Sequence, residues 1–278
     1  MQHHPIFEKF EAVSVTGTGK HVFDFLGVAT DASFKKGWEK WAIEKGRSYL
    51  SGYPPVNEHY FDWITLLQSV DRASGTLRIA ELGAGWAPWL VRGAVAAKQR
   101  PQITDVQLLG VEADPVHHRW IRQHFIDNTM LSSSHSIIHG AVSDQAEILR
   151  FPKVTNPDED YGASLRNANN AEAFIEVQGY TLDDIIGRFD GPIDFLHSDI
   201  QGAEYDVFPD NMDLMRAHVK HFMVGTHISN DKHHEFEELF KSHGWEVEMS
   251  YPRMALSKTE YGDVHFGDGF LFFRNPDL

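Results

Sequence analysis

The stretch TLRIAELGAGWAPW, residues 76–89, decides the fold class of this chain of 278 residues. It begins with apolar residues typical of a short strand, ends that strand on Glu81, and turns through Gly83 and Gly85 into a helix that Pro88 opens. Gly83 can adopt the positive φ that a sharp strand-to-helix turn requires, and Gly85 lacks a Cβ, so that a ligand can lie against the backbone. A strand, an acid, a glycine turn and a helix in this order are typical of a nucleotide-binding site.

The same turn distinguishes between two classes of cofactor. A dinucleotide fingerprint requires a third glycine where this chain has Pro88, because the helix N-terminus meets a pyrophosphate there. S-adenosylmethionine has no phosphates and makes no such demand, so the stretch favours this cofactor, although Ala87 stands where a third glycine often follows. An ordinary glycine-rich turn without a ligand is the alternative. The cofactor contacts expected at the turn are Glu81, Gly83, Ala84, Gly85 and Trp86.

Composition limits the classes of protein that this chain can represent. With 42% hydrophobic and 12% aromatic residues, it can bury a full core. A formal net charge of −15 and the lack of any basic run argue against a nucleic-acid partner, since phosphates are bound with Lys and Arg. The chain has no cysteine, which excludes disulfides and thiolate metal sites and fits a reducing compartment. No stretch approaches the ~20 apolar residues of a membrane span, and no signal peptide is recognisable, so we expect a cytoplasmic protein.

The pattern of strands and helices predicts how the chain is divided. We expect residues 1–75 to form an N-terminal cap with a docking helix that Asn57 opens, and residues 76–278 to form the main domain. Residues 1–56 look irregular and are rich in aromatic side chains, which either plug the main domain or line an acceptor pocket. An insertion at about 145–178 interrupts the main domain with a long polar loop, typical of a lid or a recognition loop.

Strands and helices alternate through most of the main domain, which predicts a Rossmann-like, doubly wound α/β sheet. We expect it to be mostly parallel, with an antiparallel edge strand. The predicted elements are a docking helix at 57–70, strands at 77–81, 106–111 and 136–142, helices at 88–98 and 115–128, a hairpin at 148–151 and 173–177, a short helix after 181, strands at 193–196 and 221–224, a helix at 230–243, and an antiparallel edge pair at 246–250 and 269–273.

Two later strand ends predict the remaining cofactor contacts. The second strand closes on Glu112 and Ala113, and a carboxylate at this place can accept two hydrogen bonds from the ribose diol. A surface acid before a helix N-terminus is the alternative interpretation. After the third strand, Val142 is expected to contact the adenine, and Asp144 is expected to accept a hydrogen bond from its amino group.

The ends of the later strands carry the candidate catalytic groups. His197 and Asp199 are two residues apart on a predicted strand, so their side chains should point the same way, and His227 follows the next strand. These three groups should converge beside the cofactor, because ligands of doubly wound sheets bind outside the carboxyl ends of the strands. Methyl transfer to a hydroxyl requires alignment and removal of a proton. An imidazole with a pKa of ~6.5 suits neutral pH better than a carboxylate at ~3.9, so His227 or His197 is the predicted base and Asp199 the orienting group.

Two other interpretations use the same residues. Asp199 and His227 could hold a divalent ion that lowers the pKa of the acceptor hydroxyl. The pattern H-x-D with a distant histidine is also that of two-histidine-one-carboxylate iron oxygenases, with His197 as the first ligand, although the core of those enzymes is all β. Buried or capping polar groups without catalytic function are the alternative to all three interpretations.

Five motifs together resemble one family. The stretches ELGAGWAPWLV, GVEADP, HGAVSD, GYTLDDII and IDFLHSDIQGAEYDVF are similar to the FkbM-type S-adenosylmethionine-dependent methyltransferases over about 77–245. The family pattern D-x-x-G-x-E is kept as Asp199, Gly202 and Glu204, whereas His197 stands where lysine is common.

The resemblance implies a Rossmann-like methyltransferase fold and O-methylation of a hydroxyl on a small molecule, a sugar or a polysaccharide. It implies that Asp199 lies near the methyl group and that the third strand end contributes cofactor contacts at Ala141, Val142, Ser143 and Asp144. A non-catalytic binding protein that keeps the cofactor fold is the remaining alternative.

Overall fold

The computed structural model describes residues 3–130 and 132–278. In this structure the N-terminal part of the chain contains more regular structure than its sequence predicts. Asp24 accepts hydrogen bonds from the backbone N–H groups of Leu26 and Val28, and Gly27 has a φ of +81°, so the chain reverses tightly. The elements of this part are strands β1 (Ser14–Thr16), β2 (His21–Phe23), β3 (Ala29–Asp31) and β4 (Ser48–Leu50), paired β1 with β4 and β2 with β3, and 3-10 helices at Pro5–Lys9, Ala32–Phe34 and Trp38–Trp41.

Helix α1 (Glu58–Arg72) docks this part of the chain on the main sheet. Asn57 caps the helix by accepting a hydrogen bond from the Tyr60 backbone N–H at 3.2 Å, as the sequence predicts. The side chains of Tyr60, Ile64 and Leu67 are fully buried, and each contributes roughly 1.5–3 kcal/mol of burial free energy.

The remaining strands and helices include every element that the sequence predicts, together with two helices (Glu204–Val207 and Met212–His218) and two strands (Ala255–Thr259 and Gly262–Phe266) that it does not predict. The strands are β5 (Gly75–Leu82), β6 (Ile103–Glu112), β7 (His135–His139), β8 (Ala141–Val142), β9 (Ile148–Pro152), β10 (Phe174–Tyr180), β11 (Phe195–Ser198), β12 (His221–Thr226), β13 (Glu246–Tyr251), β14 (Ala255–Thr259), β15 (Gly262–Phe266) and β16 (Gly269–Arg274). The helices are α2 (Pro88–Ala97), α3 (Pro115–Asp127), α4 (Leu182–Ile186), α5 (Glu204–Val207), α6 (Met212–His218) and α7 (Asn230–Ser242), with further 3-10 helices at Leu165–Asn170 and Pro209–Asn211.

The central sheet has seven strands in the order β13-β16-β12-β11-β5-β6-β7. All neighbouring pairs from β12 to β7 are parallel, whereas β16 is antiparallel to both β12 and β13. The Rossmann-like fold is therefore confirmed. The antiparallel strand β16 lies between β12 and β13, so the edge strand itself is β13.

Helices cover both faces of this sheet. Apolar side chains of α1, α2 and α3 form one core with Leu77 and Ile79, and side chains of α4, α6 and α7 form another with Ala80 and Leu82. Successive residues of β5 thus point to opposite layers. The chain proceeds from β5 outward to β7 and returns to β11 on the other side of β5, which places the topological switch point beside the glycine turn.

The predicted third strand, 136–142, is wrong as one continuous element. It ends at His139, and β8 then pairs with β10 in a separate sheet of order β8-β10-β9. Gly140 allows this exit from the central sheet because a Cβ there would lie 2.5 Å from the Gln178 carbonyl oxygen. The predicted hairpin of the insertion is confirmed, since β9 and β10 pair antiparallel.

A second hairpin, β14–β15, was not expected. It is closed at Gly262, whose φ of +124° favours glycine. In the part of the chain that the structure describes, every helix is too short or too polar to cross a lipid bilayer.

Candidate active site

A cavity of about 330 Å³ lies at the ends of β5, β6 and β11. It is lined by residues of the glycine turn, of α1, of the N-terminal part and of the insertion. The predicted cofactor residues that line it are Glu81, Gly83, Ala84, Gly85, Trp86, Glu112, Ala113, Ala141 and Val142. Ser143 and Asp144 instead line a neighbouring depression with Leu165 and Arg166.

The two glycines of the turn face different surroundings. Gly83 has a φ of +70°, and a Cβ there would lie 2.0 Å from the backbone carbonyl oxygen of Asp199. Gly85 has a φ of +56°, but a Cβ there would meet only the Tyr161 ring, at 3.7 Å. Gly83 therefore lets β5 and the end of β11 pack closely, whereas Gly85 presents bare backbone to the cavity.

Glu81 is buried beneath the start of α2. Its Oε2 accepts a hydrogen bond from the Leu90 backbone N–H at 3.0 Å. Burial raises the pKa of its carboxyl to about 7. The carboxyl group thus satisfies one of the free N–H groups at the helix N-terminus and also lines the cavity.

Glu112 holds the glycine turn in place from the neighbouring strand. Its Oε2 accepts a hydrogen bond from the Gly85 N–H at 2.8 Å, and its Oε1 accepts one from the Asp114 N–H at 2.7 Å. Burial raises the pKa of this carboxyl to about 7. An ionised carboxylate has about four acceptor positions, so Glu112 retains capacity for hydroxyl groups in the cavity.

Asp199 and His227 lie together, as predicted. His227 Nε2 is 3.0 Å from Asp199 Oδ1, although its N–H is not aligned for a hydrogen bond, and Nδ1 is 3.2 Å from Glu204 Oε1. The fully buried Glu204 also accepts hydrogen bonds from the backbone N–H groups of His227 and Gly202. Gln201 donates to Asp199 Oδ1 at 2.6 Å. The three family-pattern residues thus form one connected group.

The charges in this group oppose the predicted role of His227 as a base. Burial lowers its pKa, but the carboxylates of Asp199 and Glu204 outweigh burial and raise it to about 10. His227 is therefore an imidazolium at neutral pH and has no free lone pair for a proton. Burial raises the pKa of Asp199, but the contact with His227 outweighs it and lowers that pKa. Asp199 lines the cavity as an ionised carboxylate.

His197 does not join this group. Its Nε2 faces Asp62 Oδ1 at 3.7 Å, and its ring lies 5.7 Å from that of Trp89, under α1 and α2. His197 and Asp199 nevertheless both line the cavity, whereas His227 is not among the residues that line it.

Sequence reasoning missed Asp62. The sequence does contain a signal for this residue, because Asp62 is an acidic residue in an otherwise apolar run of α1 beside Phe61, Trp63 and Ile64. Lys, Glu, Arg and Asp are almost never fully buried unless they are paired.

The two metal hypotheses are not supported. Within residues 3–130 and 132–278, the His, Asp and Glu groups that could share an ion are His233 with His234 and Glu237, and His21 with Asp31 and Asp127. Neither group contains the predicted ligands Asp199 and His227, nor the His197 that the oxygenase pattern also requires.

The insertion and the N-terminal part meet over the cavity. The Tyr161 ring stacks on His117 with ring centres 4.6 Å apart, and its hydroxyl donates to the Phe34 carbonyl oxygen. Ser164 Oγ donates to the Gln201 carbonyl oxygen at 2.6 Å. The insertion therefore touches both the N-terminal part and the turn that follows Asp199.

Fold and site together define a Rossmann-like α/β protein whose cavity lies at the topological switch point. The chain belongs to the FkbM methyltransferase family: the model of the methyltransferase FkbM domain matches residues 96–247. A protein of Jannaschia sp. (strain CCS1), provisionally named a methyltransferase, is 30% identical to this chain over 282 residues. The matched residues cover 97% of this chain and 98% of that protein. The resemblance seen in the sequence is confirmed, and the chain is a methyltransferase of this family.

Two solved structures are also similar. The methyltransferase FkbM from Methylobacillus flagellatus KT is 13% identical with a TM-score of 0.46, over 73% of this chain and 44% of that chain. The SAM-dependent methyltransferase from Agrobacterium tumefaciens is 12% identical with a TM-score of 0.46, over 95% of this chain and 70% of that chain.

Proposed function

We propose that this protein is an S-adenosylmethionine-dependent O-methyltransferase that acts on a hydroxyl of a small molecule or a sugar, in the cytoplasm. The observation that carries the proposal is that the ionised carboxylate of Asp199 lines the same cavity as the glycine turn. A methyl donor held at the turn and a hydroxyl held at Asp199 would meet inside one cavity. This arrangement supplies the proximity that methyl transfer requires.

The donor side of the cavity fits S-adenosylmethionine. Gly85 offers bare backbone, and Glu112 offers acceptor positions for the ribose hydroxyls. Ala141 and Val142 provide apolar contact for the adenine, and Glu81 lies on the wall proposed for the methionine end. Ser143 and Asp144 line another depression and are not part of the proposed site.

When bound, the cofactor supplies an electrophilic methyl group on a positively charged sulfur. In the proposed reaction the acceptor hydroxyl would receive this methyl group, and its proton would pass to Asp199. A carboxylate of lowered pKa is a weak base, but it is sufficient here because a methylated, still protonated oxygen is a far stronger acid than a carboxylic acid. His227 keeps Asp199 ionised and oriented between turnovers.

Transfer of a tritium-labelled methyl group tests the proposal. The purified chain is incubated with S-adenosyl-L-[methyl-³H]methionine and panels of sugars and hydroxylated small molecules, with boiled protein as the control. We expect labelled methyl ether and S-adenosylhomocysteine in equal amounts. Binding of S-adenosylhomocysteine without transfer to any hydroxyl would favour the non-catalytic alternative, and label on nitrogen or carbon would replace O-methylation by another methyl transfer.

A further inference from the structure

The guanidinium group of Arg92, on helix α2, lies between two tryptophan rings at the wall of the cavity. Its central carbon, Cζ, is 4.6 Å from the ring centre of Trp63 and 4.6 Å from that of Trp89. All three residues line the cavity. An aromatic ring attracts a cation that faces it within about 6 Å, so the two rings together hold the guanidinium in one place.

Asp24 fixes the direction of the same side chain. Its Oδ2 accepts a hydrogen bond from Arg92 Nε at 3.2 Å, while its Oδ1 accepts hydrogen bonds from the backbone N–H groups of Leu26 and Val28. The ion pair is mostly buried, since the side chains of Arg92 and Asp24 are 17% and 16% exposed. The tight turn of the N-terminal part therefore holds a carboxylate against the Nε edge of the guanidinium.

The terminal edge of the guanidinium, which carries Nη1 and Nη2, remains for a ligand. Among residues 3–130 and 132–278, the side-chain hydrogen bond that Arg92 donates comes from Nε. Neither terminal nitrogen belongs to the buried polar atoms without a partner, and the side chain keeps 17% exposure at the cavity wall. Both nitrogens are thus within reach of a molecule in the cavity.

The shape and charge of this edge select the chemistry of the ligand. A guanidinium is always charged in proteins, and its N–H groups lie in one plane at a fixed spacing. Two of them match the two oxygens of a carboxylate and donate parallel hydrogen bonds to it. The stacked rings and Asp24 hold this fork before any ligand arrives, so little conformational entropy is lost on binding.

We propose that Arg92 is the anion-binding residue of the active site, whose terminal edge binds a carboxylate of the ligand. The inference rests on the proposed function, which supplies two sources of a carboxylate. One is the methionine end of the cofactor, which the proposed function places beside Glu81. The other is a methyl acceptor that carries a carboxylate besides its hydroxyl, such as a hydroxy acid or an acidic sugar. Arg92 binds and orients the ligand and does not touch the reacting atoms.

The variant Arg92→Gln in the full chain tests the proposal. Calorimetry measures its affinity for S-adenosylhomocysteine and for 5′-methylthioadenosine, which shares the adenosine and the thioether but has no carboxylate. Arg92→Lys keeps the charge and removes the planar fork. Arg100→Gln is the matched control, because Arg100 also lies over an aromatic ring, that of Phe10, and pairs through Nε with Asp71, but is not among the residues that line the cavity.

The two ligands distinguish the two sources of the carboxylate. If the cofactor supplies it, R92Q should bind S-adenosylhomocysteine more weakly by about tenfold or more and 5′-methylthioadenosine within about threefold of the wild type. If the acceptor supplies it, both affinities should stay within about threefold, and the KM for hydroxylated carboxylic acids should rise by about tenfold or more. R92K should show smaller losses in the same direction, and it provides the same comparison if R92Q does not fold.

The proposal is overturned if neither loss appears. It is also overturned if R92Q binds both nucleosides more weakly by the same factor, because an equal loss shows a structural role. Failure of the wild-type chain to bind S-adenosylhomocysteine would instead contradict the proposed function. Wild-type binding with an unchanged R92Q contradicts only the role of Arg92, so the two failures are distinguishable.

Discussion

His227 Nε2 lies 3.0 Å from Asp199 Oδ1, while the opposite ring nitrogen lies 3.2 Å from Glu204 Oε1. Asp199 and Glu204 therefore hold one imidazolium, Asp268 Oδ2 lies 3.8 Å from the same Nε2, and the carboxylate of Asp199 opens to the cavity. The pair fixes the charge and direction of Asp199 without any ligand. This preorganisation is the basis of the account, because a hydroxyl that enters the cavity meets an acceptor that is already ionised.

Asp199→Asn should abolish the proton acceptor while the donor side stays intact. We expect the rate of methyl transfer to fall by about 10²–10⁴-fold, the usual contribution of a positioned acid or base. Affinity for S-adenosylhomocysteine should stay within about threefold, since Asp199 makes none of the proposed ribose or adenine contacts. Initial rates and calorimetry check the two parts, with the exposed Asp210→Asn as the control. A D199N protein that transfers methyl at the wild-type rate would refute the role of Asp199.

The raised pKa of His227 should appear as pH-dependent stability. A histidine whose pKa rises on folding from 6.5 to about 10 stabilises the fold fully below 6.5, and this contribution is lost as the pH rises through about 10. We expect the difference in unfolding free energy between the wild type and His227→Gln to be largest near pH 6.5 and to shrink towards pH 10. Urea unfolding at several pH values within this window measures it. A difference that stays constant across the window would show that His227 is not held as an imidazolium.

The two glycines of the turn should respond differently to alanine. In Gly83→Ala the new Cβ would lie 2.0 Å from the Asp199 carbonyl oxygen, and backbone cannot yield as a flexible side chain does. We expect a loss of more than about 2 kcal/mol of unfolding free energy and no binding of S-adenosylhomocysteine. Gly85→Ala meets only ordinary contact with Tyr161 and should lose about 1 kcal/mol from its positive φ. Urea unfolding compares the variants, and equal losses would contradict the close packing of the turn against Asp199.

The pKa of Glu112 predicts how cofactor affinity depends on pH. Only the ionised carboxylate can accept hydrogen bonds from both ribose hydroxyls, and burial raises the pKa of this group to about 7. Affinity for S-adenosylhomocysteine should therefore increase as the pH rises towards about 7 and level off above it. In Glu112→Gln the affinity should be weaker by about tenfold or more, and this increase should disappear. Calorimetry at pH values on both sides of about 7 measures this pH dependence. A wild-type affinity that is independent of pH would exclude Glu112 as the ribose ligand.

Much of the donor side could be predicted from the sequence because its signals are local. The strand, acid and glycine turn at Glu81 to Gly85 are contiguous, and the end of β6 at Glu112 follows one helix later. Each depends on backbone rules that a short window reveals. The interruption at Gly140 was missed since it depends on the close approach of Gln178, which belongs to the distant strand β10.

The roles of residues on the acceptor side could not be predicted in the same way, because they depend on tertiary contacts that no local sequence pattern shows. His227 was predicted to be a base from the ordinary pKa of an imidazole, but its pKa depends on Glu204 and Asp199, which tertiary folding brings to both sides of the ring. Asp62 and His197 belong to α1 and β11, so their proximity follows only from the docking of α1 on the sheet. The domain boundary at 75/76 and the role of residues 1–56 remain predictions.

Calorimetric titration of the purified chain with S-adenosylhomocysteine tests the proposed donor site and requires no knowledge of the methyl acceptor. We expect saturable binding at a single site, weakened in Glu112→Gln and abolished in Gly83→Ala. An absence of binding by the folded wild-type chain at millimolar S-adenosylhomocysteine would contradict it.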